Sequence, residues 1–215
     1  MPTSEPAPEV QFDDMPQQVR AGLMGMWVFL ITELLLFGGL FAGFAVFRVK
    51  HPEVFAEAAH HLDLQLGSLN TMLLLSSGFL MVLSEQAVSA RTRSLALWFL
   101  FGTIALGVAF LAIKGFEWHK EFSHHLMPVL GFEFRYPGDH APIAEMFFNF
   151  YFALTGLHAV HMLFGLIILI VMAVFIVRWR QPARLDRQIR IVGLYWAFVD
   201  VIWIFVFTTL YLMRA

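Results

Sequence analysis

Five long runs of apolar residues constrain the fold of this chain more than any other feature of its sequence. A hydrocarbon core about 30 Å thick needs about 20 apolar residues in a helix. The runs that reach this length are residues 23–47, 66–83, 95–113, 147–177 and 191–213. A soluble fold would have to bury each run on every side. We therefore predict an all-α integral membrane bundle of five transmembrane helices.

The composition supports a membrane protein and excludes several kinds of chemistry. Only 14% of the 215 residues are charged, whereas about 25% is usual in soluble domains. The chain contains no cysteine, which excludes disulfides, iron–sulfur clusters, thiolate–zinc sites and cysteine nucleophiles. The net charge of -2 gives no indication of a nucleic-acid partner.

Residues 1–20 differ from the rest of the chain in being rich in proline and acidic residues. They lack the basic segment followed by a short apolar segment that defines a cleavable signal peptide. We predict that residues 1–20 form a polar, poorly ordered tail. Residues 21–215 then form a single five-helix transmembrane domain.

The distribution of basic residues predicts the orientation of the bundle. With the N-terminus inside, eight Lys and Arg residues fall on the cytoplasmic side and six on the other. Five of the eight follow the fourth span closely: Arg178, Arg180, Arg184, Arg187 and Arg190. We therefore expect the N-terminus inside and the C-terminus outside.

The longest connection is predicted over residues 114–145. It holds four histidines and three prolines, and residues 131–138 have the composition of an extended segment bounded by turns. No internal repeat is evident, so an inverted-repeat transporter is not indicated.

Ionisable residues inside the membrane are costly and rare, so the few present here are the main candidate functional residues. Glu33 lies in the first span, His158 and His161 in the fourth, and Asp200 in the fifth. Each lies roughly 14–20 Å from an end of its helix, so all could meet near the midplane. Asn70 adds milder polarity to the second span.

Glu33 has two interpretations on the residues alone. It is either a neutral carboxylic acid hydrogen-bonded to a neighbouring helix or a functional acid that responds to protons or faces lipid. No basic residue shares its span.

His158 and His161 are three residues apart and share a helix face with Thr155. Two such histidines cannot bind one haem from opposite sides, and no other span contains a histidine. We therefore expect no haem or metal on this chain, and hydrogen bonds across helices instead. Asp200 is a candidate partner for a histidine of the fourth span.

Several segments resemble subunit III of the haem-copper oxidases, in order along all five spans. They are Phe-Leu-Ile-Thr-Glu-Leu-Leu-Leu-Phe at 29–37, Leu-Asn-Thr-Met-Leu-Leu-Leu-Ser-Ser-Gly at 69–78, Phe110 with Glu117 and Trp118, Thr-Gly-Leu-His-Ala-Val-His at 155–161, and Tyr-Trp-Ala-Phe-Val-Asp-Val-Ile-Trp at 195–203. The chain resembles the short bacterial form, which lacks the first two of seven helices. It departs from the family pattern at Ala197 (usually His), Lys114 (usually Gln) and residues 85–86 (often a His pair).

The resemblance implies a non-redox subunit of a bacterial terminal oxidase in aerobic respiration, located in the plasma membrane. Haem and copper would belong to the catalytic subunit I, which reduces oxygen and translocates protons; subunits II and IV are further candidate partners. The resemblance also implies bound phospholipid, with Glu33 as the buried acid near a lipid cleft that supports proton uptake. His158 and Asp200 would brace the bundle, and Glu117 and Trp118 would mark the outer end of the third helix.

Two alternatives remain open. One is the subunit III homologue associated with nitric oxide reductase, which shares these motifs and five helices. The other is a stand-alone small transporter or proton-conducting protein, in which Glu33, His158 and Asp200 would form a relay.

Overall fold

The computed structural model describes residues 14–128, 134, 136, 140–178 and 182–213, and the regular structure in these ranges is helical. The helices are α1 (Met15–Lys50), α2 (Pro52–His60), α3 (Leu64–Ser89), α4 (Arg93–Ser123), α5 (Ala141–Arg178) and α6 (Pro182–Phe207). A π-helical turn, Thr208–Leu212, follows α6. All except α2 are long and apolar enough to cross a membrane, which confirms the predicted five-helix class.

Short polar side chains define where two of these helices begin. The Asp14 carboxylate accepts a hydrogen bond from the backbone N–H of Gln17 at 2.6 Å and so caps α1. Asp63 caps α3 in the same way through the N–H groups of Gln65 and Leu66. Such caps satisfy backbone donors that have no partner within the helix.

Helices α3, α4, α5 and α6 form the body of the bundle, and α3 and α4 are its most extensively packed pair. Two hydrogen bonds fix the antiparallel register of α3 and α4. The Ser84 hydroxyl donates to the carbonyl of Ala96 at 2.9 Å, and the Thr103 hydroxyl donates to the carbonyl of Ser77 at 3.3 Å. Buried polar side chains are thus satisfied across the interface.

Helix α1 lies at the edge of the bundle against α5 and α6. Its buried side chains Leu30, Phe37 and Phe44 recur every seven residues and face inward. Most of its other apolar residues are exposed, as lipid contact allows. The short α2 packs on α5, where the ring of Phe55 lies 5.5 Å from that of Phe147.

The helices extend beyond the predicted spans, most of all in α4. That span was predicted to end at residue 113, but α4 continues to Ser123, so Lys114 lies in a helix and not in a connection. The reason is that the Lys114 ammonium meets the carboxylate of Glu117 inside the bundle. The predicted connection 114–145 therefore shortens to residues 124–140, because α5 begins at Ala141.

The other differences concern the chain ends and connections. Helix α1 begins at Met15 and overlaps the predicted tail, of which residues 1–13 lie outside the described residues. The predicted extended segment 131–138 also lies outside them, apart from Phe134 and Tyr136. Helix α2 was not predicted, because nine amphipathic residues give no membrane-span signal.

Candidate functional site

Glu33 of α1 and His161 of α5 form a hydrogen-bonded pair between two helices. Oε2 of Glu33 lies 2.9 Å from Nε2 of His161, and the side chains are 17% and 12% exposed. Nδ1 of His161 lies 2.8 Å from the carbonyl oxygen of Leu157. A carbonyl only accepts, so Nδ1 carries a hydrogen and donates it.

A hydrogen bond between Glu33 and His161 needs a proton between the two atoms, and two arrangements supply it. Either a neutral imidazole accepts the proton of the Glu33 carboxylic acid, or an imidazolium donates to the Glu33 carboxylate. Both states hold one shared proton and carry no net charge. The pair therefore places an acid at membrane depth without an isolated charge, which would be costly there.

Neighbouring groups hold His161 in place. The Tyr195 hydroxyl of α6 donates to the backbone carbonyl of His161 at 2.8 Å. The ring of Phe37 lies 5.3 Å from the His161 ring. Three helices therefore fix the position of the imidazole.

A cavity of about 530 Å³ lies beside this pair, between α1, α5 and α6. Glu33, His161 and Tyr195 contribute its polar groups, and the remaining lining is apolar: Met26, Phe29, Val160, Phe164, Ile168, Ile191 and Val192. Phe29 and Phe164 are 40% and 60% exposed at its margin, so the cavity faces the side of the bundle. Its shape and lining suit an apolar chain next to one acidic group.

A second polar group, which we call the ionic cluster, consists of Lys114, Glu117, Tyr151 and Tyr211. Nζ of Lys114 lies 3.1 Å from Oε2 of Glu117 and 3.3 Å from the Tyr151 hydroxyl. The hydroxyls of Tyr151 and Tyr211 both donate to Oε1 of Glu117. The Lys114 and Glu117 side chains are 2% and 0% exposed. The cluster joins α4, α5 and the π-helical turn after α6, and it pairs the Lys114 ammonium with the Glu117 carboxylate.

Aromatic rings complete the surroundings of the Lys114 ammonium. Nζ lies 4.8 Å from the ring centre of Tyr151, 5.3 Å from that of Trp203 and 5.1 Å from that of Tyr211. Cation–π attraction of this kind partly replaces the hydration that a buried ammonium loses.

His158 occupies a different environment from His161, although one helical turn separates them. Its ring lies 5.5 Å from that of Phe110 and 5.1 Å from that of Trp203, and the residue is 1% exposed. Neither ring nitrogen has a hydrogen-bond partner among the described residues. Thr155, one turn earlier, donates to the carbonyl of Tyr151 within the same helix at 2.6 Å.

Asp200 does not pair with a histidine, so that prediction is wrong for the described structure. Its carboxylate lies against Gly78 of α3, in space that a side chain at position 78 would fill. No hydrogen bond reaches its Oδ1 from any described residue. The rotation of α6 turns Trp203, and not Asp200, towards His158.

The structure therefore brings together only part of the predicted polar network. Glu33 meets His161, whereas His158, Asp200 and Asn70 lie apart from that pair. Glu117 belongs to the ionic cluster, and the ring of Trp118 packs 6.3 Å from that of Phe152. Within the described ranges, no group of three or more His, Asp or Glu side chains is placed to hold a metal ion.

Sequence reasoning missed Lys114, Tyr151, Tyr195 and Tyr211 as site residues. One available signal was the three-residue spacing of Lys114 and Glu117, which places both on one helix face. The tyrosines gave no such signal, because their partners lie on other helices.

The sequence matches the family described as cytochrome c oxidase subunit III over residues 11–134 and 136–214. The chain belongs to this family. Its similarity to cytochrome c oxidase subunit 3 of Thermostichus vulcanus is 32% identity over 196 residues, covering 89% of this chain and 87% of the relative. The match thus extends across the helices that carry both polar groups.

Other relatives in the family are named for different oxidases. The chain is 29% identical to cytochrome bo(3) ubiquinol oxidase subunit 3 of Pseudomonas aeruginosa, over 90% of this chain and 85% of the relative. It is also 29% identical to a haem-copper oxidase subunit I+III of Aeropyrum pernix, over 87% of this chain and 22% of that longer protein.

Proposed function

We propose that this protein is the non-redox subunit III of a bacterial haem-copper terminal oxidase in aerobic respiratory electron transport. In this assignment it lies in the plasma membrane, N-terminus inside, bound to a catalytic subunit I that holds the haem and copper. The family match over nearly the whole chain is the observation that carries the proposal. A relative in which subunits I and III are one polypeptide supports the choice of partner.

The Glu33–His161 pair and its cavity define the role of the chain within such a complex. We assign the cavity to an acyl chain of a bound phospholipid, since its lining is apolar and its margin faces the side of the bundle. A proton shared with His161 leaves the pair without net charge next to that chain. Bound lipid would stabilise the contact with subunit I and support proton uptake by that subunit.

Purification tests the assignment. A tagged chain isolated in mild detergent should bring down a haem- and copper-containing subunit, with the absorption spectrum of a terminal oxidase, and phospholipid should be extractable from the complex. A haem-free chain that is stable alone would support the transporter alternative. A haem-bearing partner without copper would support the nitric oxide reductase alternative.

The contribution of the cavity acid needs a separate comparison inside the assembled complex. Glu33→Gln preserves the size of the side chain but removes its ionisable carboxyl group. We expect normal assembly but a several-fold change in the rate of inactivation during turnover. Glu85→Gln is a matched control, because the ion pair of Glu85 with Arg190, the one ion pair it makes among the described residues, is long at 3.9 Å. If turnover, proton pumping and the rate of inactivation were identical in both variants, Glu33 would have only a structural role.

A further inference from the structure

The interior of the bundle contains a second level of polar groups beside the ionic cluster. Between the Ser84–Ala96 contact and the Ser77–Thr103 contact, the position moves back by seven residues along α3 and forward by seven residues along α4. This is the register of two antiparallel helices. The next step of this register places Asn70 of α3 opposite Phe110 of α4. Asn70 is 0% exposed, as is Phe110.

The side chains around Phe110 bring His158 to the same level. The Phe110 ring lies 5.5 Å from the His158 ring and 4.7 Å from the Trp203 ring. The Trp203 indole N–H donates to the hydroxyl of Thr71, the residue next to Asn70, at 3.0 Å. Asn70 and His158 therefore lie at one level of the bundle, enclosed by α3, α4, α5 and α6.

Four polar atoms at this level have no hydrogen-bond partner among the described residues: both amide atoms of Asn70 and both ring nitrogens of His158. Leaving a buried donor or acceptor unsatisfied destabilises the folded state. Native interiors leave few such groups, and buried water that makes about three hydrogen bonds is the usual solution. A lipid chain cannot serve, because it neither donates nor accepts hydrogen bonds.

We propose that water binds inside this subunit between Asn70 and His158, at what we call the internal polar site. The amide Nδ2 of Asn70 donates and its Oδ1 accepts, and the His158 ring offers one donor and one acceptor when neutral. Bound water can therefore satisfy all four atoms without a charge. All of the residues that form this site belong to this chain.

The indole ring of Trp203 lies next to both the internal polar site and the ionic cluster. The Lys114 ammonium lies 5.3 Å from the ring centre of Trp203, and the His158 ring lies 5.1 Å from Trp203. Water at the internal polar site would thus lie in the electrostatic field of Lys114. The polar interior then continues from the Lys114–Glu117 ion pair towards the middle of the bundle.

A structure of the purified, assembled complex at a resolution that shows ordered water tests the proposal directly. We expect density for at least one water within hydrogen-bond distance of the Asn70 amide and the His158 ring. A direct Asn70–His158 hydrogen bond, or a level filled by side chains with no water density, would overturn it.

Thermal inactivation of the same complex gives a second test that needs no water density. Asn70→Leu keeps a similar volume but removes the polar ligands of the water. If the site is hydrated, the half-life at a fixed elevated temperature should shorten about fivefold. An unchanged or longer half-life would show that Asn70 was unsatisfied and the site dry. Leu74→Met, on the same buried face of α3, is the matched control and should change the half-life little.

Discussion

Glu33 and His161 are 128 residues apart in the sequence, yet their side chains meet in a hydrogen bond of 2.9 Å. The two residues meet because α1 lies against α5. Helix α1 buries one residue in each heptad, at Leu30, Phe37 and Phe44. A polar contact therefore adds specificity to a helix that lipid could otherwise solvate. It also places the acid at the cavity wall.

The Glu33–His161 contact should have a measurable coupling energy. In a double-mutant cycle of Glu33→Ala and His161→Ala, we expect the two losses of stability to differ from additivity by about 0.5–1.5 kcal/mol, as for hydrogen bonds between membrane helices. Unfolding of the protein in mixed detergent micelles measures it. Strict additivity would mean that the pair contributes no interaction of its own.

Removing one partner of the buried Lys114–Glu117 ion pair should destabilise the protein much more than removing both partners. Lys114→Met leaves the Glu117 carboxylate buried without its cation, and we expect a loss of about 3–5 kcal/mol in the free energy of unfolding. The double variant Lys114→Met, Glu117→Gln removes both charges and should recover most of that loss. The same micelle unfolding assay compares the three proteins.

A partly exposed ion pair between Lys120, also on α4, and Asp63, the cap of α3, provides the control for this experiment. Lys120 lies 3.6 Å from Asp63, and the two side chains are 43% and 31% exposed. Lys120→Met should therefore cost less than about 1 kcal/mol. If Lys114→Met were equally mild, the ionic cluster would not be the buried, charge-balanced site described above.

The all-helical fold class could be predicted from sequence because lipid offers the backbone no hydrogen-bond partners. In a hydrocarbon core every N–H and C=O must be satisfied within the segment, so a long apolar run becomes a helix. The ends of α4 could not be predicted by the same reasoning. Lys114 and Glu117, each taken alone, predict a position exposed to water. Only their mutual contact makes these two charged residues compatible with the interior of the bundle.

The partners of the intramembrane polar residues were predicted less well, because spacing along one helix does not reveal the rotation of its neighbours. His158 and His161 share a broad face of α5, but α1 approaches one of them and Trp203 the other. Asp200 had the correct depth to meet a histidine, yet its carboxylate lies beside Gly78. The family motif identified these residues without giving their contacts.

Gly165 of α5 should tolerate no side chain, because Trp196 lies directly over it. A methyl group at Gly165 would lie 2.9 Å from Cζ3 of Trp196, and the Trp196 indole N–H donates to the hydroxyl of Ser77 at 3.1 Å, which limits its movement. We expect Gly165→Ala to destabilise the fold by about 1–3 kcal/mol, measured as a lower midpoint of detergent-induced unfolding.

Gly39 is the contrasting glycine, on the exposed side of α1. Among the described residues, no atom outside the adjacent residues and the backbone of α1 itself lies within 4 Å of a methyl group placed there. Gly39→Ala should be neutral or stabilise the helix by up to about 1 kcal/mol, because glycine loses more backbone entropy than alanine. Equal effects of the two substitutions would contradict the close Gly165–Trp196 packing.

Trp203 should be more sensitive to conservative substitution than a tryptophan on the lipid face. Trp203→Phe removes the indole N–H that donates to Thr71 at 3.0 Å, and it shrinks the ring beside the Lys114 ammonium. We expect a loss of about 1–2 kcal/mol. Trp98, which is 73% exposed, is the control, and Trp98→Phe should change stability by less than about 0.5 kcal/mol.

Trp203→Phe in other backgrounds can separate the hydrogen bond to Thr71 from the contact of the ring with Lys114. Thr71→Val removes only the acceptor, so in that background Trp203→Phe should cost less if the indole–hydroxyl bond contributes to stability. Adding Lys114→Met to the Thr71→Val background should lower the cost further, because no ammonium then faces the ring. If Trp203→Phe costs the same in all three backgrounds, its effect is a loss of packing volume, and Trp203 does not connect the ionic cluster to the level of His158.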